Sequence, residues 1–504
     1  MKDSFHTLKT GLLLTIILFS CATHQTSEVS SNRYKEFLSK AYERGQFNGA
    51  ALILKKGEIV YEGAFGLGNI DPIDSLTVNS IFRLASLSKQ FTAMSIMILK
   101  ESGKLSYDQD IRDFIPELPY EGVTIRNLLN HVGGLPDYIR MMNKNWKPEL
   151  KAKDPERLIA GNEDIIDLFV STKPKIIFKP GQFWEYSNTG YVLLGTIVSR
   201  ASGMPFAQFL KENIFDPTNM MNTSLYKYIA GIDSTMPLRV YGHRLNMNGI
   251  DRTSTDIHYL NGAAGDGGIY STVGDLLKWD RILYTDGLVS QETLEEAFTQ
   301  VILNKGDTID YGFGWGIGES PTGKKVVAHS GNWAGFVNFI YREIEEDNCI
   351  IILTNNSGSW NYILDPLIRI LHEEPYSTPK SAIGEVIGKI IVNEGITKAI
   401  AQYKKLKSET PGKYDFAEKH LSELGYHLLQ LERTENAIRI FKLNLEEFPE
   451  SAEAYNSYGD ALISSGDTVN ALINFKTALE IDSTLTRSRE KIEEIEGGSD
   501  LNTN

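Results

Sequence analysis

Apolar and polar residues alternate along residues 49–69, GAALILKKGEIVYEGAFGLGN, with the two-residue period of a β-strand. The alternation is interrupted at Lys56-Gly57, where a glycine allows the chain to reverse, so the segment predicts a hairpin. Three more strand-like segments lie far along the chain, between Lys324 and Asn355: KKVVAHSG, GFVNFIYRE and NCIIILTN. We therefore expect one sheet that combines strands from both ends of a domain.

Between these two groups of strands, from Ser86 to about Asp280, the pattern is that of helices and loops. The simplest arrangement is an antiparallel sheet flanked by helices, with a helical domain inserted between its strands, in the α/β (α+β) class. The segment LDPLIRILHEE, near residues 364–374, predicts a helix that packs back on the sheet. Residues 33–375 are accordingly expected to form one domain.

The following part of the chain, residues 380–495, is rich in helix-forming sequence and repeats with a period of 34 residues. In the alignment of the two copies, Gly425 matches Gly459 and Phe441 matches Phe475. Helix pairs with small and aromatic residues at this period resemble tetratricopeptide repeats. We therefore predict an all-α helical module whose role is either structural or the binding of a protein partner.

The chain begins with a lysine-bearing segment and a short apolar run, so residues 1–20 have the outline of a secretory signal peptide. Cys21 follows the small residue Ser20 at the end of that run, as in the cleavage box of bacterial lipoproteins. An uncleaved anchor and a plain signal peptide are the alternatives. We predict that Cys21 is lipidated and that residues 21–32 form a polar tether. The exported protein is then anchored to a membrane, in the periplasm or at the outer membrane.

Composition restricts the partners further. The chain has 65 Asp and Glu residues against 51 Lys and Arg residues, a formal charge of −14, which argues against nucleic acid as a ligand. The second cysteine, Cys349, lies in an apolar run, and no Cys or His spacing typical of a zinc site surrounds it. Neither a metal nor another cofactor is predicted.

The pattern Ser-x-x-Lys occurs four times, beginning at Ser86, Ser224, Ser377 and Ser488, so the pattern alone carries little information. Only Ser86, in RLASLSKQFTAM, stands at the start of a long apolar helix. Residues three apart share a face of a helix, so Lys89 could exchange a proton with Ser86. The alternative is that Ser86 merely caps the helix and Lys89 is solvated. A lysine in the first turn opposes the helix dipole, which favours a catalytic role.

Two further segments could complete a catalytic site. WEYSNTGYVLLG places Tyr186 and Asn188 just before an apolar helix. The Tyr186 phenol beside a lysine ammonium could take the serine proton, and Asn188 could hydrogen-bond a substrate carbonyl or amide. In AHSGNWAGF, a glycine at the end of a strand allows its backbone to approach a ligand. The N–H of Asn332, together with that of Ser86, could then form an oxyanion hole.

Three motifs in this order resemble those of the serine hydrolases of the class C β-lactamase and penicillin-binding protein superfamily: Ser86-x-x-Lys89, Tyr186-x-Asn188 and His329-Ser330-Gly331. The resemblance covers about residues 33–375 and implies an acyl-enzyme on Ser86. It implies that Lys89 and Tyr186 share the role of general base and that Tyr186 protonates the leaving group. Substrate binding is implied for Asn188 and for the strand from His329 to Asn332.

One position departs from many β-lactamases of this superfamily, whose third motif begins with a lysine that attracts the carboxylate of the antibiotic. His329 is mostly neutral at pH 7 and looks more like the D-amino-acid peptidases, carboxypeptidases and esterases. We therefore expect a membrane-tethered serine hydrolase that acts on a peptide, amide or ester. The alternatives are a true β-lactamase and an inactive hydrolase-fold scaffold that binds partners through its repeats. The presence of Ser86, Lys89 and Tyr186 favours an enzyme.

Overall fold

The computed structural model of the protein describes residues 31–69, 74–146, 159–226, 236–245, 252–256, 258–356, 361–378 and 380–499. These residues form two compact units, the first within residues 31–244 and 252–378 and the second within 380–499. The predicted signal peptide, Cys21 and most of the tether lie outside the described residues. In the ranges that are described, no helix is long and apolar enough to cross a membrane.

The helices of the first unit are α1 (31–43), α2 (Ser88–Glu101), α3 (Ile125–Leu129), α4 (Tyr138–Asn145), α5 (Asn162–Thr172), α6 (Asn188–Ser202), α7 (Phe206–Leu210), α8 (Val273–Ile282), α9 (Gln291–Ala297) and α10 (Asn361–Leu371). The strands up to residue 354 are β1 (Gly49–Lys55), β2 (Glu58–Phe65), β3 (Phe82–Arg83), β4 (Ser224–Leu225), β5 (His243–Leu245), β6 (Arg252–Ser254), β7 (Ile269–Ser271), β8 (Val301–Ile302), β9 (Thr308–Ile309), β10 (Gly316–Glu319), β11 (Lys325–Trp333), β12 (Phe336–Glu343) and β13 (Asn348–Thr354).

A six-stranded antiparallel sheet organises this unit, with the strand order β10-β11-β12-β13-β1-β2. β1 pairs with β13, Gly49 opposite Thr354, so strands from the two ends of the unit meet as predicted. β1 and β2 form the predicted hairpin. Its turn residues Lys56 and Gly57 both have positive φ, 53° and 79°, a two-residue turn that matches the twist of the strands.

Both faces of the sheet are covered, which explains the continuous apolar runs of its central strands. Along β1, Leu52 belongs to the core shared with the inserted helices, whereas Ile53 belongs to the core shared with α1 and α10. In the latter core, Phe37 of α1 and Leu367 of α10 are buried with the sheet. The structure confirms an antiparallel sheet flanked by helices, with a helical insertion.

Helix α2 runs through the middle of the core of the inserted region and packs against α6. Every residue from Ser88 to Met97 is buried, so the helix has almost no face in water. A charged side chain in this part of α2 must therefore find its partners inside the protein. Lys89, which is fully buried, is such a side chain.

The second unit is helical, apart from the short strands β14 (Ser381–Ala382) and β15 (Tyr414–Asp415), and its helices are α11 (Ile383–Glu394), α12 (Ile396–Glu409), α13 (Glu418–Gln430), α14 (Thr434–Glu447), α15 (Ala452–Ser465), α16 (Thr468–Ile481) and α17 (Thr486–Ser499). Helices α14 and α16 are 34 residues apart at both ends. A Cβ on Gly425 would lie 2.5 Å from the Phe441 ring, and one on Gly459 would lie 2.6 Å from the Phe475 ring. The two glycines therefore let α13 approach α14 and let α15 approach α16. That these helix pairs are tetratricopeptide repeats stays a prediction.

Candidate functional site

Ser86 lies in a single 3₁₀ turn, Ala85–Leu87, between β3 and α2. The α2 helix begins at Ser88, and its N-cap is Leu87, with no side-chain capping hydrogen bond. The interpretation of Ser86 as a helix cap is therefore wrong. Ala85 has a φ of 51°, a left-handed conformation that is uncommon for a residue other than glycine. Such conformations are concentrated at functional sites, where surrounding structure holds them in place.

The ammonium group of Lys89 is the centre of the site. Its Nζ donates hydrogen bonds to Ser86 Oγ at 3.2 Å, to Asn188 Oδ1 at 2.8 Å and to the backbone oxygen of Asp266 at 3.0 Å. An ammonium has three N–H groups, so each has an acceptor although the side chain is fully buried. The structure thus brings together Ser86, Lys89 and Asn188, which are up to 102 residues apart in the chain.

Two tyrosine rings flank the same ammonium. Lys89 Nζ lies 5.0 Å from the ring centroid of Tyr186 and 5.5 Å from that of Tyr191. Tyr191 is buried and donates its hydroxyl to the backbone oxygen of Leu129 at 2.8 Å, and burial raises its pKa well above the usual value. Tyr186 is 36% exposed. Of these two phenols, the Tyr186 hydroxyl is the one accessible to a substrate group.

His329, on β11, is held as a neutral imidazole. Its Nε2 lies 2.9 Å from the Tyr311 hydroxyl and its Nδ1 lies 2.6 Å from the Ser330 backbone oxygen. A single proton on Nδ1 satisfies both contacts, since Nδ1–H donates to the carbonyl and the Tyr311 hydroxyl donates to Nε2. Burial, together with the positive charge of Lys89, lowers the pKa of His329 to about 4. The imidazole therefore supplies no positive charge at pH 7.

This neutral histidine makes stability depend on pH. The His329 pKa is about 4 in the folded protein and 6.5 in an exposed histidine, so the unfolded chain binds the extra proton between these values. Stability is consequently lost as the pH falls from 6.5 towards 4 and is unaffected by this group above 6.5. We expect His329→Gln to reduce the fall in free energy of unfolding between about pH 7.5 and pH 5 by about 2 kcal/mol. Urea unfolding of the wild-type protein and of His329→Gln at both pH values measures this difference. An identical fall in the free energy of unfolding in the two proteins would contradict the assignment of a neutral, buried His329.

Strand β11 passes directly beside the turn that carries Ser86. A Cβ on Gly331 would lie 2.1 Å from the Leu84 backbone oxygen and 3.2 Å from the Ser86 backbone nitrogen. Only glycine allows this approach. Asn332 follows on the strand and lines the same cleft as Ser86. The backbones that would form the predicted oxyanion hole are therefore neighbours.

The close approach at Gly331 leads to a test. Gly331→Ala must push the strand away from the Ser86 turn, because the added methyl group overlaps the Leu84 carbonyl. We expect the acylation rate to fall about 10²-fold, as displacements of about 1 Å at a reacting centre do. Stopped-flow acylation measures this rate. The matched control is Gly318→Ala on β10, where a Cβ meets nothing within 4 Å. Equal acylation rates in the two variants would contradict the role assigned to Gly331.

A cleft partly open to solvent gives access to Ser86. Its walls include Ser86, Asn188 and Asn332 from the predicted set, together with Arg83, Tyr138 and Asp266, which sequence reasoning did not identify. Tyr138 donates its hydroxyl to Asp266 Oδ2 at 2.9 Å. Burial raises the pKa of Asp266, against the opposing effect of the Lys89 charge. The sequence signal that could have identified Asp266 was its position as the lone acidic residue in the glycine-rich segment GAAGDGG.

His131 is a further residue that sequence reasoning did not identify. Its ring centroid lies 4.4 Å from that of Tyr186, and its Nδ1 accepts a hydrogen bond from the Ser187 backbone N–H at 3.1 Å. Burial lowers its pKa well below the usual value, so the ring is neutral at pH 7. His131 thus holds the segment that carries Tyr186. In the part of the chain that the structure describes, no three His, Cys, Asp or Glu side chains are placed to hold a metal ion.

Comparisons with known proteins agree on the class of this unit. The profile of the family described as Beta-lactamase matches residues 35–372. Penicillin-binding protein 4* of Bacillus subtilis (strain 168) is 38% identical over 362 residues, which are 67% of this chain and 75% of that protein. A D-aminopeptidase of Gluconobacter oxydans (strain 621H) is 23% identical, over 66% of this chain and 60% of that protein. The structure of an octameric penicillin-binding protein homologue from Pyrococcus abyssi superimposes on 72% of this chain and over 81% of its own chain, with a TM-score of 0.59 and 26% sequence identity.

Proposed function

Because this chain belongs to the β-lactamase family of serine hydrolases, we propose that it cleaves a peptide or amide bond through an acyl-enzyme on Ser86. The observation that carries this proposal is the 3.2 Å hydrogen bond from the buried Lys89 ammonium to the Ser86 hydroxyl at the cleft. A buried ammonium beside a hydroxyl stabilises the negative charge that develops on its oxygen during attack. Esters are expected to react at the same site, because they follow the same acyl-transfer chemistry.

In the first step, Ser86 Oγ forms a bond to the carbonyl carbon of the substrate, and the hydroxyl proton is transferred to the oxygen of Tyr186 as a phenolate, because the Lys89 ammonium already carries three N–H groups and cannot accept it. The negative oxygen of the tetrahedral intermediate is placed against the backbone N–H groups of Ser86 and Asn332. The bond to the leaving group then breaks, and Tyr186, at the exposed side of the site, returns a proton to it. A water molecule then attacks the acyl carbon and gives a proton to Tyr186, the bond between that carbon and Ser86 Oγ breaks, and the proton passes to Oγ, which restores Ser86.

Asn188 supports an amide-containing substrate. Its Oδ1 accepts the hydrogen bond from Lys89, which fixes the orientation of the side-chain amide. The Nδ2 group is therefore the part of Asn188 that is left to donate to a substrate, and a carbonyl oxygen is a suitable acceptor. This arrangement supports recognition of the carbonyl of a peptide or amide on the acyl side of the bond that is cleaved.

The substrate class is proposed from the relatives and from His329. One relative is named a D-aminopeptidase and another a penicillin-binding protein, which supports a substrate that contains a D-amino acid. The neutral His329 lacks the charge with which a lysine would attract the carboxylate of an antibiotic. We therefore propose a D-amino-acid peptidase or amidase, with slow turnover of penicillins.

This function is tested with matched substrates. Purified protein is assayed with D-alanine and L-alanine 4-nitroanilides, a 4-nitrophenyl ester and benzylpenicillin, and is labelled with a fluorophosphonate. We expect ester hydrolysis, a preference for the D-anilide and slow penicillin turnover. Failure to hydrolyse any anilide or ester, with no phosphonate adduct, would overturn the hydrolase proposal. A penicillin turnover faster than every anilide would instead support a true β-lactamase.

Export and lipidation are proposed from the sequence motif at Cys21. We expect Cys21→Ser to move the expressed protein from the membrane fraction to the soluble fraction of bacterial cells, because a single acylated cysteine supplies the attachment. Fractionation followed by immunodetection measures this shift, with the conservative variant Ser20→Ala as the control. A Cys21→Ser protein that remains in the membrane fraction would contradict lipidation.

A further inference from the structure

Arg83 is a buried cation in the wall of the catalytic cleft. It ends the short strand β3, three residues before Ser86, and is 4% exposed. Its Nη1 donates to Asn261 Oδ1 at 2.7 Å, and its Nε is buried without a hydrogen-bond partner. The same Asn261 oxygen also accepts a hydrogen bond from Trp333 Nε1 at 3.3 Å. Arg83 and Trp333 both line the cleft that contains Ser86.

The other buried arginines of the described residues are paired differently. Arg239 forms an ion pair with Asp256, and Arg342 forms one with Asp280, each with both partners almost fully buried. Among the described residues, no carboxylate forms such an ion pair with Arg83, whose one side-chain acceptor is the neutral amide oxygen of Asn261. A buried charge without a hydrogen-bonded ion-pair partner is costly.

Among the described residues that line this cleft, the one carboxylate, Asp266, interacts with the charge of Arg83 but forms no hydrogen bond with it. Asp266 accepts its side-chain hydrogen bond from Tyr138, and its backbone oxygen accepts from Lys89. Arg83, which lines the cleft, therefore has N–H groups beyond the one bonded to Asn261, and a planar guanidinium is suited to binding a carboxylate. We propose that Arg83 binds a carboxylate of the substrate and thereby selects acyl donors that carry a negative charge.

The position of the cleft assigns this carboxylate to the acyl part of the substrate. The cleft that contains Arg83 is also lined by Asn188, which we have placed against a substrate carbonyl on the acyl side of the cleaved bond. Tyr186, the proton donor to the leaving group, is not among the residues that line it. The part of the substrate that occupies the cleft is thus the part that stays on Ser86. This inference rests on the proposed function, because it requires an acyl group on Ser86.

The test uses two esters that differ by one charge. The full-length protein is assayed with mono-4-nitrophenyl adipate and with 4-nitrophenyl adipamate, whose terminal carboxylate is replaced by a carboxamide of similar size. We expect the carboxylate ester to have the higher kcat/KM by about 10- to 100-fold, mainly through KM, as for a charged hydrogen bond. In Arg83→Gln this ratio should fall to near one, and Arg83→Lys should retain part of it. Arg126→Gln, which removes an exposed charge outside the cleft, should keep the wild-type ratio.

A second measurement needs no variant. Boronic acids add reversibly to an active-site serine, so 3-carboxyphenylboronic acid and 3-carbamoylphenylboronic acid compare the same charge difference in the wild-type protein. We expect the carboxylate to inhibit about tenfold more strongly, with the difference decreasing at high salt. Equal inhibition by the two acids, or an ester ratio unchanged in Arg83→Gln, would overturn the role of Arg83. Absence of turnover with both esters would instead overturn the proposed function.

Discussion

Replacing Ser86 with alanine is expected to lower kcat/KM for anilide and ester substrates at least about 10⁴-fold, because the variant has no nucleophile to form the acyl-enzyme. The free energy of unfolding should change little, since the Ser86 hydroxyl accepts a single hydrogen bond, from Lys89, and caps no helix. Steady-state kinetics and thermal unfolding measure the two effects separately. A large loss of activity with an unchanged melting temperature is the expected result.

The chain contains its own control for this substitution. Ser224 begins another Ser-x-x-Lys sequence but lies on the short strand β4. Ser224→Ala removes a hydroxyl from the same local pattern and should keep the wild-type kcat/KM. If Ser86→Ala retained a tenth of the wild-type activity, or if Ser224→Ala abolished it, the nucleophile would have been assigned to the wrong residue.

Replacing Lys89 with methionine is expected to lower kcat/KM by about 10³-fold. The variant has an unbranched side chain that is one atom shorter, and it loses the N–H groups that contact Ser86, Asn188 and Asp266. It also leaves the Asn188 and Asp266 oxygens without their donor, which costs about 1–3 kcal/mol each and is offset by removal of a buried charge. Single-turnover acylation with the 4-nitrophenyl ester measures the kinetic loss.

Two further variants complete this test: one separates geometry from charge at position 89, and the other is a control elsewhere on α2. Lys89→Arg keeps the positive charge, but its larger planar group does not fit the three acceptors of a fully buried ammonium, so we expect a similar loss. Lys100→Met removes a half-exposed lysine from the same helix and should leave acylation unchanged. Rapid acylation of Ser86 in Lys89→Met would show that this lysine does not assist the nucleophile.

Much of the fold could be predicted from local pattern. The hairpin at Lys56-Gly57 follows from two-residue alternation and a glycine at the reversal, and the structure contains it. The meeting of strands from both ends of the domain followed from their separation around a helical stretch. The apolar face of the segment near residue 364 predicted a helix on the sheet, and the structure packs Leu367 of that helix against it. The helix spacing of 34 residues in the second unit is likewise local.

The site could be predicted only in part, because local pattern cannot separate a capping serine from a nucleophile at a helix start. The structure shows that Ser86 caps no helix and that Lys89 is buried in contact with Asn188 and Asp266, which are 99 and 177 residues from it in the chain. Arg83 was missed for a similar reason. The residues that make it unusual, Asn261 and the walls of the cleft, come together only in the folded chain.

The measurement that tests the central claim most directly is the mass of the acyl-enzyme. The protein is mixed with a 4-nitrophenyl ester, quenched in acid within milliseconds, and analysed by intact mass and by peptide mapping. We predict an increase equal to the mass of the acyl group, located on the peptide that contains Ser86, and no such increase in Ser86→Ala. An adduct on another residue, or turnover by Ser86→Ala at the wild-type rate, would contradict the assignment of Ser86 as the nucleophile.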